Sequence, residues 1–430
     1  MSDNSTVLIR PARSFSGSVR LPGDKSISHR YAMLASIAEG TTRVENYSTG
    51  ADCASTLKCL RTLGVEWQRE QNTVAIHGCG PNLKAPAAPL DCGNSGSTIR
   101  MLSGILAGQE FTSELIGDAS LSKRPMARIR TPLQQMGARI SSAEGNRPPL
   151  RITGGNLKAI AYEMPVASAQ VKTALLFAGL FANGRTCVTE AVRTRDHGEL
   201  ALRAFGAEVE VNGSQACISG GQKLRAIEAT IPGDISGAAF FICAAALFPG
   251  SEIVLTDVGL NPTRSYLLDL LIGMGVHISV MKLEEKHGEL VGSVKVEGAE
   301  LRGGRIGSPQ TEMLIDEIPV LSAIAPYTKN GIEIREAREL RVKESDRIAS
   351  IATNLRKMGA EVEEFDDGLR IPGGQQLHGA EIDSFGDHRV AMAFAVAALR
   401  AEGETRICNA NAAVISFPEF YTTLESLVQR

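Results

Sequence analysis

A helix-ending signature recurs along this chain at intervals of about 70 residues. It consists of Leu, two variable residues, a hydrophobic residue, Gly and then Ala or Val. Its glycines, which are separated by 73, 69, 69 and 84 residues, are Gly64, Gly137, Gly206, Gly275 and Gly359. Each copy predicts an amphipathic helix that ends at a glycine and is followed at once by a short strand, as at residues 208–211. The chain is therefore predicted to consist of similar small α/β units.

A second recurring feature is a polar helix start that runs into an almost entirely apolar helix. Six such starts lie at residues 24–30, 93–100, 167–172, 234–237, 316–319 and 386–389. A helix that is apolar on all sides is buried, whereas the helices that end at a glycine keep a polar face. Six units of about 70 residues, each with two helices and several strands, account for almost the whole chain.

The six units are predicted to form two domains, because a single hydrophobic core stops growing at roughly 250 to 300 residues. Residues 21–30 (Leu-Pro-Gly-Asp-Lys-Ser-Ile-Ser-His-Arg) have a partial second copy at 231–240 (Ile-Pro-Gly-Asp-Ile-Ser-Gly-Ala-Ala-Phe), 210 residues later. This offset predicts one domain at 24–233 and a discontinuous domain at 1–23 and 234–430. The chain then crosses twice between the domains, and the double crossing is expected to form a hinge.

The two copies differ in their charged residues. The types that they share suit a turn and a helix cap, and in the first copy they are Pro22, Gly23, Asp24 and Ser26. Lys25 is replaced by Ile235, and Arg30 by Phe240. Since the scaffold accepts Ile and Phe, Lys25 and Arg30 are predicted to bind a negatively charged ligand. Lys25→Ile is accordingly predicted to leave thermal stability nearly unchanged.

Composition restricts such a ligand to a local site. The chain has 45 Lys and Arg against 48 Asp and Glu, a net charge of -3, so no basic field favours nucleic acid or an anionic membrane. Apolar stretches such as 391–399 are far shorter than the roughly 20 residues that a spanning helix needs. The N-terminus has no secretory signal and the eight cysteines form no Cys-x-x-Cys pair. These features predict a cytoplasmic protein with reduced, buried cysteines and no zinc site.

Helix starts attract anions because they expose backbone N–H groups and the positive end of the helix dipole. A single charged residue in a loop is ordinarily exposed to solvent and binds no ligand. For Arg30 and Arg100, an ion pair with Asp24 or Asp91 is an alternative to ligand binding. Recurrence at equivalent positions favours an anion site. The cationic and amide groups of the helix starts and of two basic loops include Lys25, Arg30, Asn94, Arg100, Gln170, Lys172, Arg389 and residues 122–125 and 341–347.

Other chemistries lack their signatures in this sequence. No P-loop, dinucleotide-binding glycine motif or Gly-x-Ser-x-Gly elbow occurs, and the seven histidines have no metal-binding spacing. The carboxylates Asp316 and Glu344 accompany the cationic motifs. Cations that position substrates, together with two carboxylates, suit small molecules that carry phosphate and carboxylate groups.

Six motifs, in order along the whole chain, closely resemble those of the 3-phosphoshikimate 1-carboxyvinyltransferase (EPSP synthase) family of enolpyruvyltransferases. They are residues 21–30, 93–100 (Gly-Asn-Ser-Gly-Ser-Thr-Ile-Arg), 122–126 (Ser-Lys-Arg-Pro-Met), 167–172 (Ala-Ser-Ala-Gln-Val-Lys), 340–347 (Leu-Arg-Val-Lys-Glu-Ser-Asp-Arg) and 387–393 (Asp-His-Arg-Val-Ala-Met-Ala). The resemblance implies an α/β (α+β) fold of two domains. Each domain has three βαβαββ units with pseudo-threefold symmetry, an inside-out α/β barrel, and the active site lies in the interdomain cleft. The strand at residues 6–10 is implied to join the second half of the chain.

The resemblance also implies an activity in the shikimate pathway of aromatic amino-acid biosynthesis. The enolpyruvyl group of phosphoenolpyruvate is transferred to the 5-hydroxyl of shikimate 3-phosphate by addition and elimination, with release of phosphate. The implied catalytic residues are Asp316 as base, Glu344 as acid, and Lys25. The implied phosphoenolpyruvate ligands are Lys25, Asn94, Gly96, Arg124, Arg347 and Arg389. The implied shikimate 3-phosphate ligands are Ser26, Arg30, Ser168, Ala169, Gln170, Arg195, Asp316 and Lys343, and Gln170 is expected to touch both substrates.

No metal, organic cofactor, nucleic acid or membrane partner is implied, and the protein is expected to be a monomer. Two alternatives remain at this point. One is the sister enolpyruvyltransferase that acts on UDP-N-acetylglucosamine, although that enzyme has a Cys where this chain has Ala119. The other is a non-catalytic anion-binding protein, which would not need Asp316 and Glu344. The chain departs from many family members at Ile415, where they have Lys, and at Glu339, where they have Asn.

Overall fold

The computed structural model describes residues 5–430, which divide between two units. Unit 1 comprises the residues up to Pro22 together with 232–285 and 290–430, and unit 2 comprises 23–231 and 286–289. Each unit has a hydrophobic core of its own. No helix in the described part of the chain is long and apolar enough to cross a membrane.

The described chain starts with strands of unit 1, which are β1 (Thr6–Ile9), β2 (Ser14–Phe15) and β3 (Gly17–Arg20). They pair with strands more than 200 residues further on. β1 is antiparallel to residues 405–408, β2 is antiparallel to 428–429, and β3 is parallel to 253–256. The strand at the start of the chain therefore joins the second half, as the resemblance implies.

Unit 2 repeats one module, in which a parallel edge strand and a buried helix precede a central strand, a surface helix and a hairpin. The sheet orders are β17-β4-β6-β5, β7-β8-β10-β9 and β12-β14-β16-β15, and β11 pairs with β13. In chain order the elements are α1 (Lys25–Ile37), β4 (Glu39–Glu45), α2 (Ala51–Thr62), β5 (Glu66–Glu70), β6 (Thr73–Cys79), β7 (Leu90–Asp91), α3 (Gly96–Ala107), β8 (Thr112–Ile116), α4 (Ala127–Gln135), β9 (Arg139–Ala143), β10 (Arg147–Thr153), β11 (Leu157–Lys158), β12 (Ala161–Met164), α5 (Ala169–Gly179), β13 (Ala182–Asn183), β14 (Arg185–Glu190), α6 (His197–Ala204), β15 (Val209–Asn212), β16 (Gln215–Ser219) and β17 (Glu228–Thr230).

Unit 1 repeats the same module, although its third sheet has only three strands and takes one of them, β1, from the start of the described chain. Its sheet orders are β3-β18-β20-β19, β21-β22-β24-β23 and β25-β26-β1, and β2 pairs with β27. The predicted fold class, two sets of three βαβαββ modules, is thereby confirmed. The remaining elements are α7 (Ile235–Ala246), β18 (Glu252–Gly259), α8 (Tyr266–Gly273), β19 (His277–Lys286), β20 (Glu289–Glu297), β21 (Gly304–Ile306), α9 (Gln310–Leu314), α10 (Ile318–Ile324), β22 (Ile332–Ile334), α11 (Arg347–Lys357), β23 (Glu363–Phe365), β24 (Gly368–Ile371), β25 (Glu381–Asp383), α12 (His388–Ala398), β26 (Thr405–Cys408), α13 (Phe420–Leu427) and β27 (Val428–Gln429).

The ends of the surface helices follow the glycine signature. The five glycines have φ between +84° and +112°, and each lies two residues after the last residue of α2, α4, α6, α8 or α11. A residue with a Cβ atom would have a strained backbone in this left-handed region, whereas glycine adopts it without steric strain. The predicted helix ends are confirmed.

The buried helices begin at the predicted polar starts. Their side-chain caps, each of which accepts a hydrogen bond from a backbone N–H two or three residues later, are Asp24, Ser95, Ser168, Asp234 and Asp387. Such a cap satisfies one of the free N–H groups of the first turn. At α10 the preceding Glu317 instead accepts a hydrogen bond from the Ser236 hydroxyl.

The prediction of eight reduced, buried cysteines is wrong in part. Cys187 on β14 and Cys217 on β16 are directly opposed in an antiparallel pair, with Cα atoms 4.1 Å apart, and they form a disulfide. Cys79 is a free thiol that is exposed. The disulfide depends on strand register, which brings together two residues that are 30 positions apart in the sequence.

Candidate active site

Lys25 is the first residue of α1, and its Nζ lies 3.0 Å from Asp52 Oδ2 at the start of α2. The Lys25 side chain is 16% exposed and that of Asp52 is 7% exposed. Removal of Lys25 would leave a nearly buried carboxylate without this partner, which is destabilising. The prediction that Lys25→Ile leaves stability nearly unchanged therefore requires correction, since the ammonium also neutralises Asp52.

One turn further along α1, Arg30 is buried and reaches two neighbours. Its Nη1 donates to the backbone oxygen of Ser26 at 2.8 Å, and its Nη2 donates to Thr173 Oγ1 on α5 at 3.0 Å. His29 is fully buried, and its Nδ1 lies 2.7 Å from Thr56 Oγ1. Burial, with a smaller contribution from the Lys25 and Arg30 charges, lowers the pKa of His29 well below its usual value of 6.5. His29 is therefore neutral beside two cations.

The start of α3 gathers an amide and two guanidinium groups. Asn94 Oδ1 accepts a hydrogen bond from Arg124 Nη2 at 2.7 Å, and Asn94 Nδ2 donates to Asp118 at the same distance. A Cβ atom on Gly96 would lie 2.9 Å from Arg100 Nη1 and 3.2 Å from Arg124 Nη1. Glycine at this position therefore lets both guanidinium groups lie against the first turn of the helix.

The start of α5 is joined to that of α3. Gln170 Oε1 accepts a hydrogen bond from Arg100 Nη1 at 2.8 Å, and Gln170 Nε2 donates to Ser97 Oγ at 2.9 Å. Ser168 caps the helix, and Ala169 is its first residue. Arg195 is half-buried in the loop between β14 and α6. The predicted residues of unit 2 thus lie at the starts of α1, α3 and α5 and in two loops.

In unit 1 the buried Arg347 guanidinium contacts three carboxylates. Its Nε donates to Asp387 Oδ2 at 2.8 Å, its Nη2 donates to Glu344 Oε2 at 2.7 Å, and its Nη1 lies 3.7 Å from Asp316 Oδ1. Burial acts to lower the pKa of Arg347, but Asp387 and Glu344 outweigh it and hold the pKa above its ordinary value. The two predicted catalytic carboxylates, Asp316 and Glu344, therefore both contact one guanidinium group that stays positively charged.

Arg389 approaches the same carboxylate from α12. Its Nε lies 3.6 Å from Asp316 Oδ1, and its Nη1 donates to the Asp316 backbone oxygen at 2.8 Å. The backbone N–H of Arg389 donates to Asp387 Oδ1 at 2.9 Å. Asp387 is fully buried, so one carboxylate both caps α12 and orients Arg347.

Lys343 is half-buried next to this group. Burial lowers its pKa below the usual value of 10.5, although Asp316 and Glu339 act in the opposite direction. The acidic Glu339 thus favours the charged form of Lys343. Ile415, the other departure, is half-buried at the end of a short 3₁₀ turn, Ala410–Ile415.

Two carboxylates, one in each unit, contact predicted site residues but were not identified from the sequence. Asp387 lies in the motif at residues 387–393, and its residue type and position before α12 indicate a helix cap. Its contact with Arg347 joins residues that are 40 positions apart, so the sequence does not indicate it. Asp52 has no motif, and its contact with Lys25 depends on how α1 packs against α2. Within residues 5–430 no group of three or more His, Cys, Asp or Glu side chains is arranged to hold a metal ion.

The fold and these residues define a class of α/β proteins in which repeated βαβαββ modules carry cationic side chains at the starts of buried helices. The model of one such family, EPSP synthase (3-phosphoshikimate 1-carboxyvinyltransferase), matches residues 9–424. The chain belongs to the EPSP synthase family.

Similar proteins agree over nearly the full length. Proteins named 3-phosphoshikimate 1-carboxyvinyltransferase from Koribacter versatilis and Solibacter usitatus are 59% and 58% identical to this chain. The alignments cover 99% and 98% of this chain, and 100% and 99% of the relatives. The solved EPSP synthase of Acinetobacter baumannii superposes with a TM-score of 0.87 at 42% identity, over 98% of both chains.

Proposed function

We propose that this protein transfers the enolpyruvyl group of phosphoenolpyruvate to the 5-hydroxyl of shikimate 3-phosphate and releases phosphate. The observation that carries the proposal is the arrangement around Arg347, where Asp316 and Glu344 share one guanidinium with Arg389 nearby. Two carboxylates allow one to accept a proton while the other donates one.

In the addition step, Asp316 accepts the proton of the attacking 5-hydroxyl group. The oxygen of that hydroxyl forms a bond to C2 of phosphoenolpyruvate. Glu344 delivers a proton to the methylene carbon, C3, so the double bond is replaced by a tetrahedral centre. In the elimination step, C3 loses a proton to the Glu344 carboxylate, the C2–O bond to phosphate breaks, and the enol ether forms. Phosphate leaves with the electron pair of that bond.

Glu344 must carry a proton before the addition step, yet Arg347 at 2.7 Å favours its carboxylate form. An anionic substrate that binds Arg347 and Arg389 offsets their charge and makes protonation of Glu344 easier. Binding of phosphoenolpyruvate is therefore proposed to prepare its own proton donor.

The remaining roles divide between the units. Lys25, Asn94, Gly96 and Arg124, with Arg347 and Arg389 of unit 1, bind phosphoenolpyruvate, and Lys25 also has a catalytic role in offsetting the charge of the departing phosphate. Support comes from the first turns of α1 and α3, which carry Lys25 and Gly96. The proposed ligands of shikimate 3-phosphate are Ser26, Arg30, Ser168, Ala169, Gln170, Arg195, Asp316 and Lys343.

We further propose that the protein acts as a monomer in the cytoplasm. One chain supplies every group named above, which supports the first statement. Six of its eight cysteines are free thiols, which is typical of proteins from a reducing compartment, and the Cys187–Cys217 disulfide is the exception.

The test is release of phosphate from phosphoenolpyruvate with shikimate 3-phosphate, with UDP-N-acetylglucosamine, or with no acceptor. Turnover is expected with shikimate 3-phosphate alone, and the enol ether should be identified by mass spectrometry. Glu344→Gln should reduce kcat by about 10²-fold or more, whereas Glu363→Gln on the exposed strand β23 should not. Turnover with the nucleotide sugar alone, or with neither acceptor, would disprove the proposal.

A further inference from the structure

Lys172 on α5 lies in a buried cluster with two carboxylates of unit 2. Its Nζ is 2.7 Å from Glu190 Oε2 and 2.7 Å from Glu199 Oε1, and each of the three side chains is at most 4% exposed. A buried cluster of this kind contributes little net stability compared with apolar residues of similar size, because all of its charges lose their hydration. Its directional contacts instead fix the positions of the elements that carry them.

The cluster holds both ends of one loop, residues 191–196. Glu190 is the last residue of β14, and Glu199 lies in the first turn of α6. Within the loop, the Thr194 hydroxyl donates to the second oxygen of Glu190. The next residue is Arg195, one of the proposed ligands of shikimate 3-phosphate. A single ammonium group therefore anchors the segment that presents this guanidinium.

The same ammonium belongs to the helix that carries three further proposed ligands of that substrate. Lys172 lies two residues after Gln170, and its backbone N–H donates to the Ser168 oxygen at 3.0 Å. The adjacent Thr173 accepts a hydrogen bond from Arg30. A Cβ atom on Gly198 of α6 would lie 2.5 Å from Thr173 Oγ1, so α6 packs closely on this turn.

We propose that Lys172 is a positioning residue for the acceptor substrate. It fixes the Arg195 loop against the start of α5, so that Arg195, Ser168 and Gln170 keep the spacing that one phosphorylated ring requires. This inference rests on the proposed function. It assigns Lys172 no contact with substrate and no part in binding phosphoenolpyruvate.

The first test is a comparison of KM values. Lys172→Met should raise KM for shikimate 3-phosphate about tenfold or more and leave KM for phosphoenolpyruvate nearly unchanged. Thr194→Val, which removes the link between the loop and Glu190, should act in the same direction with a smaller effect. Because Lys172→Met leaves two buried carboxylates unbalanced, Lys172→Met/Glu190→Gln/Glu199→Gln is made in parallel and should keep the raised KM.

Leu175→Val, which removes buried apolar volume from the same helix, is the control for a general loss of stability. It should lower the melting temperature without changing either KM. Equal increases of both KM values in the Lys172 variants, or the same pattern in Leu175→Val, would show that Lys172 has a merely structural role.

The second test is coupling to Arg195. If Lys172 acts through the loop, Lys172→Met/Arg195→Ala should bind shikimate 3-phosphate no more weakly than Arg195→Ala alone, as measured by calorimetry. Independent, additive losses would overturn the inference.

Hydrogen exchange of the ligand-free protein separates this inference from the proposed function. Lys172→Met should speed exchange in residues 191–197 and leave α3 protected as in the unsubstituted protein. Unchanged exchange in the loop would overturn the positioning role even if the protein turns over shikimate 3-phosphate. Faster exchange in a protein that does not turn over shikimate 3-phosphate would support the role of Lys172 in positioning the loop. It would at the same time disprove shikimate 3-phosphate as the substrate.

Discussion

The starts of α1 and α7 have the same backbone design in different surroundings. Asp24 caps α1 by accepting from the N–H of Ile27 at 2.9 Å, and Asp234 caps α7 by accepting from that of Ser236 at 2.8 Å. At the next position, Lys25 reaches Asp52, whereas Ile235 is buried in the core of unit 1. The cap depends on the backbone, so the side chains that follow it are free to differ.

The comparison also limits what a shared residue type proves. The Ser236 hydroxyl contacts Glu317 and Arg264 in a buried cluster. Ser26, its counterpart in α1, contributes a backbone oxygen that accepts a hydrogen bond from Arg30. Agreement between the copies therefore identifies a common backbone role and leaves the side-chain role open.

The largest effect is expected from Lys25→Ile, which gives α1 the residue of α7. Loss of the charge should lower kcat/KM about 10³-fold, or ~4 kcal/mol in transition-state stabilisation. The free energy of unfolding should fall by about 2 kcal/mol because the nearly buried Asp52 loses its ion pair with Lys25. Lys25→Ile/Asp52→Asn should restore stability without activity, as measured by urea unfolding and steady-state kinetics. Recovery of activity in the double variant would contradict a role for the charge.

The reverse exchange, Ile235→Lys, places an ammonium in the core of unit 1. We expect a loss of about 3 kcal/mol in the free energy of unfolding at neutral pH, because burial disfavours the charged form. The loss should shrink towards pH 10, where the unfolded chain also begins to release the proton. Ile235→Met is the apolar control for altered packing. A tolerated lysine would mean that either helix start can accept a cation.

The paired glycines allow a third comparison. A Cβ atom on Gly23 would lie 1.7 Å from the backbone oxygen of Asn46, whereas one on Gly233 would be 3.3 Å from Leu21 Cβ. Gly23→Ala should therefore destabilise the protein by about 2 kcal/mol, and Gly233→Ala by clearly less. Thermal unfolding of the two variants measures the difference. Equal losses would show that the contact at Asn46 relaxes without cost.

The smallest effect concerns pH. Burial lowers the pKa of His29 well below 6.5, so the unfolded chain binds a proton that the folded chain does not. The free energy of unfolding should therefore fall as the pH decreases from about 6.5, by at most ~1.4 kcal/mol per pH unit. His29→Gln should reduce this slope, as measured by urea unfolding between about pH 7 and pH 5. His77→Gln, at an exposed position of β6, should keep the slope, and equal slopes in both variants would contradict the assignment.

Local rules made much of the fold predictable from the sequence. Helix ends followed from glycines such as Gly64 and Gly206, and helix starts from short polar caps such as Ser95, because both depend on neighbouring backbone groups. The β-sheet of the first module of unit 2 was harder to predict. Its edge strand, β17, comes from the opposite end of that unit's main segment, and its parallel pairing with β4 leaves no local trace.

The candidate site was predictable where the residues themselves are distinctive. Cations at helix starts, such as Lys25, stood out against an apolar copy, but their partners did not. The Lys172 cluster joins a helix, a strand end and a second helix. The Cys187–Cys217 disulfide likewise depends on the register of β14 and β16. Such contacts depend on tertiary packing, and no repeating pattern in the sequence indicates which residues will meet.

The pairing of β1 and β2 with distant strands has a consequence for folding during synthesis. The partners of β1 and β2 lie at residues 405–408 and 428–429, whereas the sheets of unit 2 are complete once residue 230 has left the ribosome. Unit 2 can therefore fold while unit 1 still has open strand edges. Unpaired edges promote aggregation, so a nascent chain stalled between residues 231 and 404 should depend on chaperones most strongly.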